Sequence, residues 1–469
     1  MIMNNKDAPT ARWMVWIVIA FLAFVFLTGG GSRADIQSLV LLRPLAAIAL
    51  GVGVWFLAWN QAQTYRWLWV VGLGILLQVA MHLIPLPPSM LQSLAQGELY
   101  NHVDSMAGLT DVWRPMTLTP PAAWNALFSL LIPFAVLVWG MQIKGDARHA
   151  VIVSLIVLAM ISCLLGLLQV IGPSKGPMFL YRITNHGMAV GLFANRNHHA
   201  VFLACMLPIL AIYATTYIKT QEQASVRRWI ALMCGALIMP MILVTGSRAG
   251  LIAAVIGLAS MPLLWGMEHD IAPAKRKTRS QLSSFLTQHF NKIVVAVGGI
   301  LLVVATVYFS RARSVDRFSQ LDGADDLRLD IWRVSFEILR DYFPFGSGIG
   351  SFVEVYQMYE PDALLNPSYA NHAHNDWLEA VMTGGVTAGL ILTVMVALWG
   401  LAAFALWKER SRQDGTMKLA RLGAVVIFIL AVSSVFDYPL RVPSLAALFT
   451  LASIWLYDGM RRLNKTGAR

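Results

Sequence analysis

The chain has few charged residues and almost no cysteine. Only 13% of its 469 residues are Asp, Glu, Lys or Arg, whereas 57% are hydrophobic, and the mean hydropathy is +0.62. A soluble globular fold is excluded because it needs more charge than this to cover its surface. Cys163, Cys205 and Cys234 all lie inside long apolar runs, which excludes a disulfide framework in the loops. The composition therefore indicates a polytopic membrane protein.

Features of several other classes are also missing from the sequence. It contains no internal repeat and no low-complexity tract. The basic residues behind the net charge of +11 are scattered over short segments, so they indicate membrane topology and attraction to anionic membrane lipid rather than a nucleic-acid partner. Residues 345–350 carry a Gly-x-Gly-x-Gly pattern without Rossmann spacing or a βαβ context. We interpret them as a flexible turn or a close approach of two backbones.

Apolar runs long enough to cross roughly 30 Å of hydrocarbon recur along the whole chain. They predict an all-α polytopic membrane protein with about twelve transmembrane helices. Residues 245–248 separate two of these runs, which are either two spans or a hairpin that dips back. The predicted spans are 13–28, 40–58, 67–86, 124–143, 150–171, 199–217, 229–245, 249–266, 293–310, 385–407, 422–436 and 445–457.

The order of the runs divides the chain into three regions. Residues 1–310 hold spans one to nine with short loops, residues 311–384 form one large, mostly polar loop, and residues 385–469 hold the last three spans and a tail. Short basic loops stay in the cytoplasm, so the basic clusters at 275–279 and 408–421 place the large loop on the outer side, in the periplasm.

Arginine dominates the basic residues of that outer side, where Lys175 is the only predicted lysine. The planar guanidinium binds phosphate oxygens with two parallel hydrogen bonds and keeps its charge in a low-dielectric site. The outer side is therefore expected to bind a phosphate-bearing ligand. Simple pairing of each arginine with an outer acidic residue is the alternative.

Besides the large loop, two other outer loops are long, and the one before the span at 199–217 carries polar residues next to that span. Asn195, Arg196 and Asn197 immediately precede the span at 199–217. Their side chains can hydrogen-bond a ligand headgroup, although Asn197 can also simply cap the helix. The other long outer loop, 87–124, ends in a proline-rich stretch that predicts an extended segment over the bundle or a plain connector.

The large loop contains a predicted surface helix at 326–343, ended by Pro344, and two histidines, His372 and His374, just before the tenth span. An imidazole titrates near neutral pH and can take a proton from a sugar hydroxyl. A metal site with Asp376 or the acidic cluster at 322–326 is less favoured, since cysteine ligands are absent and the cluster is distant in sequence. A helix-capping turn is the structural alternative, mainly for His372.

These motifs occur in an order that resembles the O-antigen ligase and polysaccharide polymerase superfamily of inner-membrane glycosyltransferases. The matching elements are Gly191-x-Phe193-x-Asn195-x-Asn197, Ser247-Arg248-Ala249-Gly250, Arg328-x-x-x-Trp332 leading to Pro344 and Gly346-x-Gly348-x-Gly350, and His374-Asn375 ahead of Gly384-Gly385. The resemblance covers roughly residues 190–390. It implies a GT-C-like fold and a multi-pass protein of the inner membrane with a periplasmic active site.

The resemblance also implies the chemistry. Such an enzyme moves a glycan from an undecaprenyl-diphosphate carrier to a hydroxyl of a glycan or lipid A-core acceptor, making lipopolysaccharide or exopolysaccharide, without a cofactor or a metal. Carried over by position, His374 is the catalytic histidine, and Arg248 and Arg328 hold the diphosphate. The residues expected to bind substrate are Arg196, Asn195, Asn197, His372, Asn375 and Trp332.

A transporter or flippase for a lipid-linked glycan is the alternative function, because twelve spans with both termini inside are also typical of transporters. Transporters usually carry ionisable residues near the membrane midplane and have two related halves. Here no Asp or Glu lies in the middle of a predicted span, and the two halves do not resemble each other.

Overall fold

A computed structural model describes residues 11–216, 218, 220–265, 322–365 and 369–467. The described chain is built from α-helices and one short antiparallel sheet, in which β1 (Pro85–Leu86) pairs with β2 (Arg114–Pro115). In chain order the helices are α1 (Arg12–Thr28), α2 (Leu39–Phe56), α3 (Trp59–Thr64), α4 (Arg66–Leu83), α5 (Pro88–Leu91), α6 (Gly97–Met106), α7 (Pro120–Ser129), α8 (Leu131–Gln142), α9 (Asp146–Ile171), α10 (Arg196–Thr215), α11 (Gln221–Thr245), α12 (Arg248–Trp265), α13 (Asp322–Asp341), α14 (Phe352–Tyr359), α15 (Asp376–Lys408), α16 (Gly415–Phe436) and α17 (Pro443–Gly467).

The long apolar helices confirm the predicted all-α polytopic membrane fold. Within the described residues, 8 segments are long and apolar enough to cross a membrane, and α1 and α12 are shorter apolar helices. Residues 245–248 join two separate helices, α11 and α12, and α16 is longer than the predicted span at 422–436. The predicted span at 293–310 and the start of the large loop at 311 lie outside the described residues, so the count of about twelve stays a prediction.

Helix α10 forms the centre of the bundle. After its polar first turn, its residues are apolar on every side and nearly all buried, as expected for a helix with neighbours all round. It packs against α9, α11, α12 and α16. Gly257 lets α12 approach closely, because a Cβ there would lie 2.9 Å from the carbonyl oxygen of Ala204. The position of the α10 N-terminus is thus fixed by packing on all sides.

Several connections meet at the end of the bundle where α10 begins, which we call the site end. The Ala194 N–H donates to the Gly30 carbonyl (2.9 Å), and the Ser444 N–H donates to the Gly29 carbonyl (3.0 Å). The Tyr181 hydroxyl accepts from the Gly30 N–H (2.6 Å). These hydrogen bonds tie together the connections α1–α2, α9–α10 and α16–α17.

The glycine-rich segment at 346–350 docks the large loop onto the bundle. The Ser347 and Gly348 N–H groups donate to the carbonyls of Met382 (3.1 Å) and Thr383 (2.9 Å). Helix α15 is interrupted there, since Gly385 has a φ of 64°. Of the two interpretations of the glycine pattern, the close approach of backbones is confirmed.

The proline-rich part of the loop at 87–124 is extended, as predicted. It forms β2, and the Thr117 N–H then donates to the His82 carbonyl at the end of α4 (3.1 Å). Thr117 is buried against Gly348, and His82 Nδ1 accepts from the Ile349 N–H (2.9 Å). The first long loop and α4 therefore contact the glycine-rich segment and help to fix its position.

Replacing Gly346 by alanine should loosen this docking. Gly346 has a φ of 81°, and an added Cβ would lie 2.5 Å from the Gly385 nitrogen and 2.6 Å from the Thr383 oxygen. We expect Gly346→Ala to lower the free energy of unfolding by about 1–3 kcal/mol, the cost of backbone strain. Thermal unfolding in detergent measures this.

The matched control is Gly51→Ala in α2, where nothing lies within 4 Å of an added Cβ. It should leave stability unchanged or raise it slightly, because alanine is the better helix former. Equal melting temperatures for both variants and the unchanged protein would contradict the docking role of Gly346.

Candidate active site

His374 lies at the site end, two residues before α15, and contacts a buried carboxylate. Its Nδ1 is 3.2 Å from Oδ1 of Asp437, which follows α16. The Asp437 side chain is 1% exposed, whereas that of His374 is 24% exposed. The backbone φ of His374 is 51°, a left-handed conformation that is strained for a residue with a side chain. The loop thus holds a partly exposed imidazole whose Nδ1 lies beside a buried carboxylate.

The surroundings of Asp437 determine which nitrogen of His374 carries the proton. Burial alone raises the pKa of Asp437, but the charge of His198 and hydrogen bonds from His374 and Asn197 together lower it well below its ordinary value. Asp437 is therefore ionised and can only accept hydrogen bonds. Nδ1 of His374 must donate to it, so in the neutral ring Nε2 is the unprotonated nitrogen and can act as a base.

His372 belongs to a separate buried network. Its Nδ1 is 3.1 Å from Oε1 of Glu379, whose Oε2 accepts from the Ala373 N–H (2.8 Å). Nη2 of Arg441 forms an ion pair with Oε1 of Glu379 (3.1 Å). Burial lowers the pKa of His372 despite the neighbouring carboxylate, so the ring is neutral at pH 7. This network fixes the backbone between the two histidines.

Asp376 completes the network, and both of its carboxylate oxygens accept hydrogen bonds from other residues of the protein. Its Oδ1 accepts from Nε of Arg441 (2.9 Å), and its Oδ2 accepts from the Ser434 hydroxyl (3.2 Å) and the Leu440 N–H (3.3 Å). Burial opposes the charge of Arg441, but the two carboxylates raise its pKa. Asp376 was the nearby candidate for a metal ligand. Within the described ranges, no group of three or more His, Cys, Asp or Glu side chains is placed to hold a metal ion.

Tyr438 is the aromatic centre of the site. Its ring centroid lies 4.3 Å from that of His372, 5.0 Å from that of His374 and 5.0 Å from that of His198. Its hydroxyl accepts from the Asn371 side chain (3.4 Å) and also hydrogen-bonds with Asn195. Burial raises the pKa of Tyr438, so the phenol stays protonated. One buried ring therefore fixes the spacing of the three imidazoles.

The polar residues before α10 are used to build this site. Asn195 is the N-cap of α10, and its side chain accepts from the Asn197 N–H (2.8 Å). The cap is thus Asn195 and not Asn197, which instead hydrogen-bonds with Asp437. Both asparagines were expected to bind substrate. That role stays a prediction, and the described contacts show them holding Tyr438 and Asp437.

Two of the predicted phosphate-binding arginines lie next to each other. Arg196 starts α10 and donates through Nη1 to the Thr245 carbonyl (3.5 Å), at the turn between α11 and α12. Arg248 begins α12 on that same turn and is exposed. Ser247 caps α12 by accepting from the Gly250 N–H (3.0 Å). The fold thus brings Arg196 and Arg248 together beside the α10 N-terminus, whose helix dipole also favours an anion.

The remaining predicted residues lie on the large loop and at its end. Trp332 on α13 donates through Nε1 to the Ala373 carbonyl (2.9 Å), between the two histidines. Arg328 lies one helical turn before Trp332, on the same face of α13. Asn375 caps α15 by accepting from the Leu378 N–H (3.1 Å). Helix α13 therefore brings Arg328 to the side of the bundle that carries the histidines.

The connection between α16 and α17 was not predicted to contribute to the site. Asp437, Tyr438 and Arg441 all lie there, and Glu379 of the first turn of α15 was also overlooked. The available clue was the polar stretch at 437–441 between two predicted spans, where an acidic and a basic residue are otherwise unexplained.

Comparison with known families agrees with the motifs. The family model described as O-antigen ligase matches residues 233–394. That range contains Arg248, Arg328, His372 and His374, but it excludes the α10 N-terminus and Asp437. The match confirms the resemblance to the O-antigen ligase and polymerase superfamily. No curated protein matches the chain.

Removing the arginine of the buried network should destabilise the protein. Arg441→Met leaves the carboxylates of Asp376 and Glu379 without their cation, and we expect the free energy of unfolding to fall by about 3 kcal/mol. The control is Arg333→Met, since Arg333 pairs with Asp330 but is 74% exposed, and its loss should cost about 0.5 kcal/mol or less.

Thermal unfolding of both variants in the same detergent checks this prediction. Adding Asp376→Asn and Glu379→Gln to Arg441→Met should restore part of the lost stability, because the buried negative charges are then removed. Equal losses for Arg441→Met and Arg333→Met would show that the network does not support the fold.

Proposed function

We propose, from the premise that this chain carries an O-antigen ligase domain, that it is a membrane glycosyltransferase. It moves a glycan from an undecaprenyl-diphosphate carrier to a hydroxyl of a glycan or lipid A-core acceptor, on the periplasmic side of the inner membrane. The observation that carries this proposal is the partly exposed His374 backed by the buried, ionised Asp437, at the same end of the bundle as Arg196 and Arg248.

His374 acts as the general base. Its Nε2 takes the proton of the acceptor hydroxyl while that oxygen attacks the anomeric carbon of the donor sugar. Gaining this proton converts His374 into an imidazolium. The Asp437 carboxylate on Nδ1 stabilises its positive charge. The strained backbone of His374 is held by Tyr438 and by the Glu379 network, so the ring is positioned before the substrates bind.

The lipid diphosphate is the leaving group. As the bond between the anomeric carbon and the phosphate oxygen breaks, the electron pair and negative charge go to the diphosphate. Arg248 and Arg328 neutralise that charge, and Arg196 with the α10 N-terminus adds further positive potential. The reaction exchanges one C–O bond for another, so the donor itself supplies the energy, and the proposed mechanism uses neither a cofactor nor a metal.

Replacing the proposed base should abolish most of the transfer. We expect His374→Ala to reduce glycan transfer by about 10²- to 10⁴-fold, the usual contribution of a general base. The assay uses purified protein with an undecaprenyl-diphosphate oligosaccharide as donor, and product size distinguishes ligation from polymerisation. Activity should persist in EDTA, because no step uses a metal.

His102→Ala is the matched control, since His102 is an exposed histidine outside the site. It should transfer at the unchanged rate. Normal transfer by His374→Ala, or no transfer by the unchanged protein with lipid-linked donors, would reject the enzyme assignment in favour of a transporter.

The diphosphate role of Arg248 predicts a defect in donor binding. Arg248→Ala should weaken the affinity for the lipid-diphosphate donor by about tenfold or more, because each hydrogen bond to a charged group contributes about 1.5–3 kcal/mol. Arg248→Lys should recover only part of it, since lysine lacks the planar fork.

Binding of the donor in nanodiscs measures this affinity directly, with the exposed Arg340→Ala on α13 as the control. Unchanged donor affinity in Arg248→Ala together with lost turnover would assign Arg248 to the transition state alone. Unchanged affinity and unchanged turnover would remove Arg248 from the site.

A further inference from the structure

His198 is a buried histidine that the mechanism above does not use. It lies in the first turn of α10, and its side chain is 2% exposed. Neither of its ring nitrogens has a hydrogen-bond partner among the described residues. A buried polar group without a partner is unfavourable and uncommon, so its presence calls for a physical reason.

The second unpartnered group lies directly opposite. Oδ2 of Asp437 is buried and also lacks a hydrogen bond among the described residues, and it is 3.8 Å from Nε2 of His198. The other oxygen of the same carboxylate, Oδ1, faces Nδ1 of His374 at 3.2 Å. Asp437 therefore stands between two imidazoles, one buried in the bundle and one partly exposed.

We propose that His198 is a positioning residue for glycan transfer, which holds Oδ2 of Asp437 so that Oδ1 stays on Nδ1 of His374. This inference rests on the proposed function and extends it to the first turn of α10. The His198 ring packs in a T-shaped arrangement with Tyr438, with centroids 5.0 Å apart, and its Nε2 is the ring nitrogen that faces the carboxylate. Closing the gap to a hydrogen bond takes a movement of about 0.8 Å.

The other groups around Asp437 are compatible with a His198 that donates to Oδ2. Asn197 from the same turn hydrogen-bonds the carboxylate, and the positive end of the α10 dipole favours its charge. Arg441, four residues after Asp437, is paired with Asp376 and Glu379. A carboxylate held from one side by α10 presents its other side to His374 in one fixed orientation.

The first test separates hydrogen bonding from packing. His198→Phe keeps an aromatic ring against Tyr438 but removes the donor, and we expect kcat to fall about tenfold while the KM of donor and acceptor stays unchanged. His198→Gln keeps an N–H donor and should recover most of kcat, and His102→Phe should behave like the unchanged protein. Equal defects in Phe and Gln, a change confined to KM, or full activity in Phe would each overturn the proposal.

The second test does not depend on transfer activity. A thermal-unfolding cycle compares the unchanged protein with His198→Phe, Asp437→Asn and the double variant. A double variant that loses clearly less melting temperature than the sum of the two single losses supports the contact, and additive losses overturn it. If His198→Phe does not fold, His198→Met takes its place in both tests.

The two tests separate the two proposals. Coupling between His198 and Asp437 in a protein that transfers no glycan would support the contact and reject the proposed function. Transfer without coupling would keep the proposed function and reject the role of His198.

Discussion

A buried carboxylate is costly unless donors surround it, and Asp437 at the site end is such a group. Its charge is supported by His374 and by the N-terminus of α10, including Asn197, which come from two separate parts of the chain. Each of these parts is fixed by its own packing, α10 by the helices around it and the His374 loop by the Glu379 network. The position of His374 thus follows from the need to satisfy one buried charge.

The large loop is held in place by two sets of contacts. The glycine-rich segment pairs with the interrupted part of α15, and Trp332 holds the backbone between the two histidines. These contacts fix the path of the loop backbone beside His374. Under the proposed function, this matters because the reactive groups must stay in place as the substrate enters.

Composition and hydrophobic runs were sufficient to predict the membrane fold, since a run of apolar residues is a local property of the chain. The motif residues His374, Arg248 and Arg196 were also recognisable, as each stands next to a span boundary in a polar stretch. Asp437 and Tyr438 could not be assigned in this way. Their importance comes from contacts with residues more than sixty positions away in the sequence. A short polar connection carries no local pattern that distinguishes a hydrogen-bond partner of His374 from an ordinary turn residue. Likewise, Asn195 and Asn197 read as ligand contacts in the sequence, whereas their described partners belong to the protein itself.

The boundary of the recognisable domain has a consequence for any attempt to cut or recombine this protein. The family match covers residues 233–394. Asp437, which contacts His374, lies after that range, and the N-terminus of α10 lies before it. A chimera that transplanted only the matched stretch would join one protein's imidazole to another protein's α10 and α16–α17 connection. The unit that must be exchanged as a whole is therefore the set of helices that meet around Asp437, even though they are discontinuous along the chain.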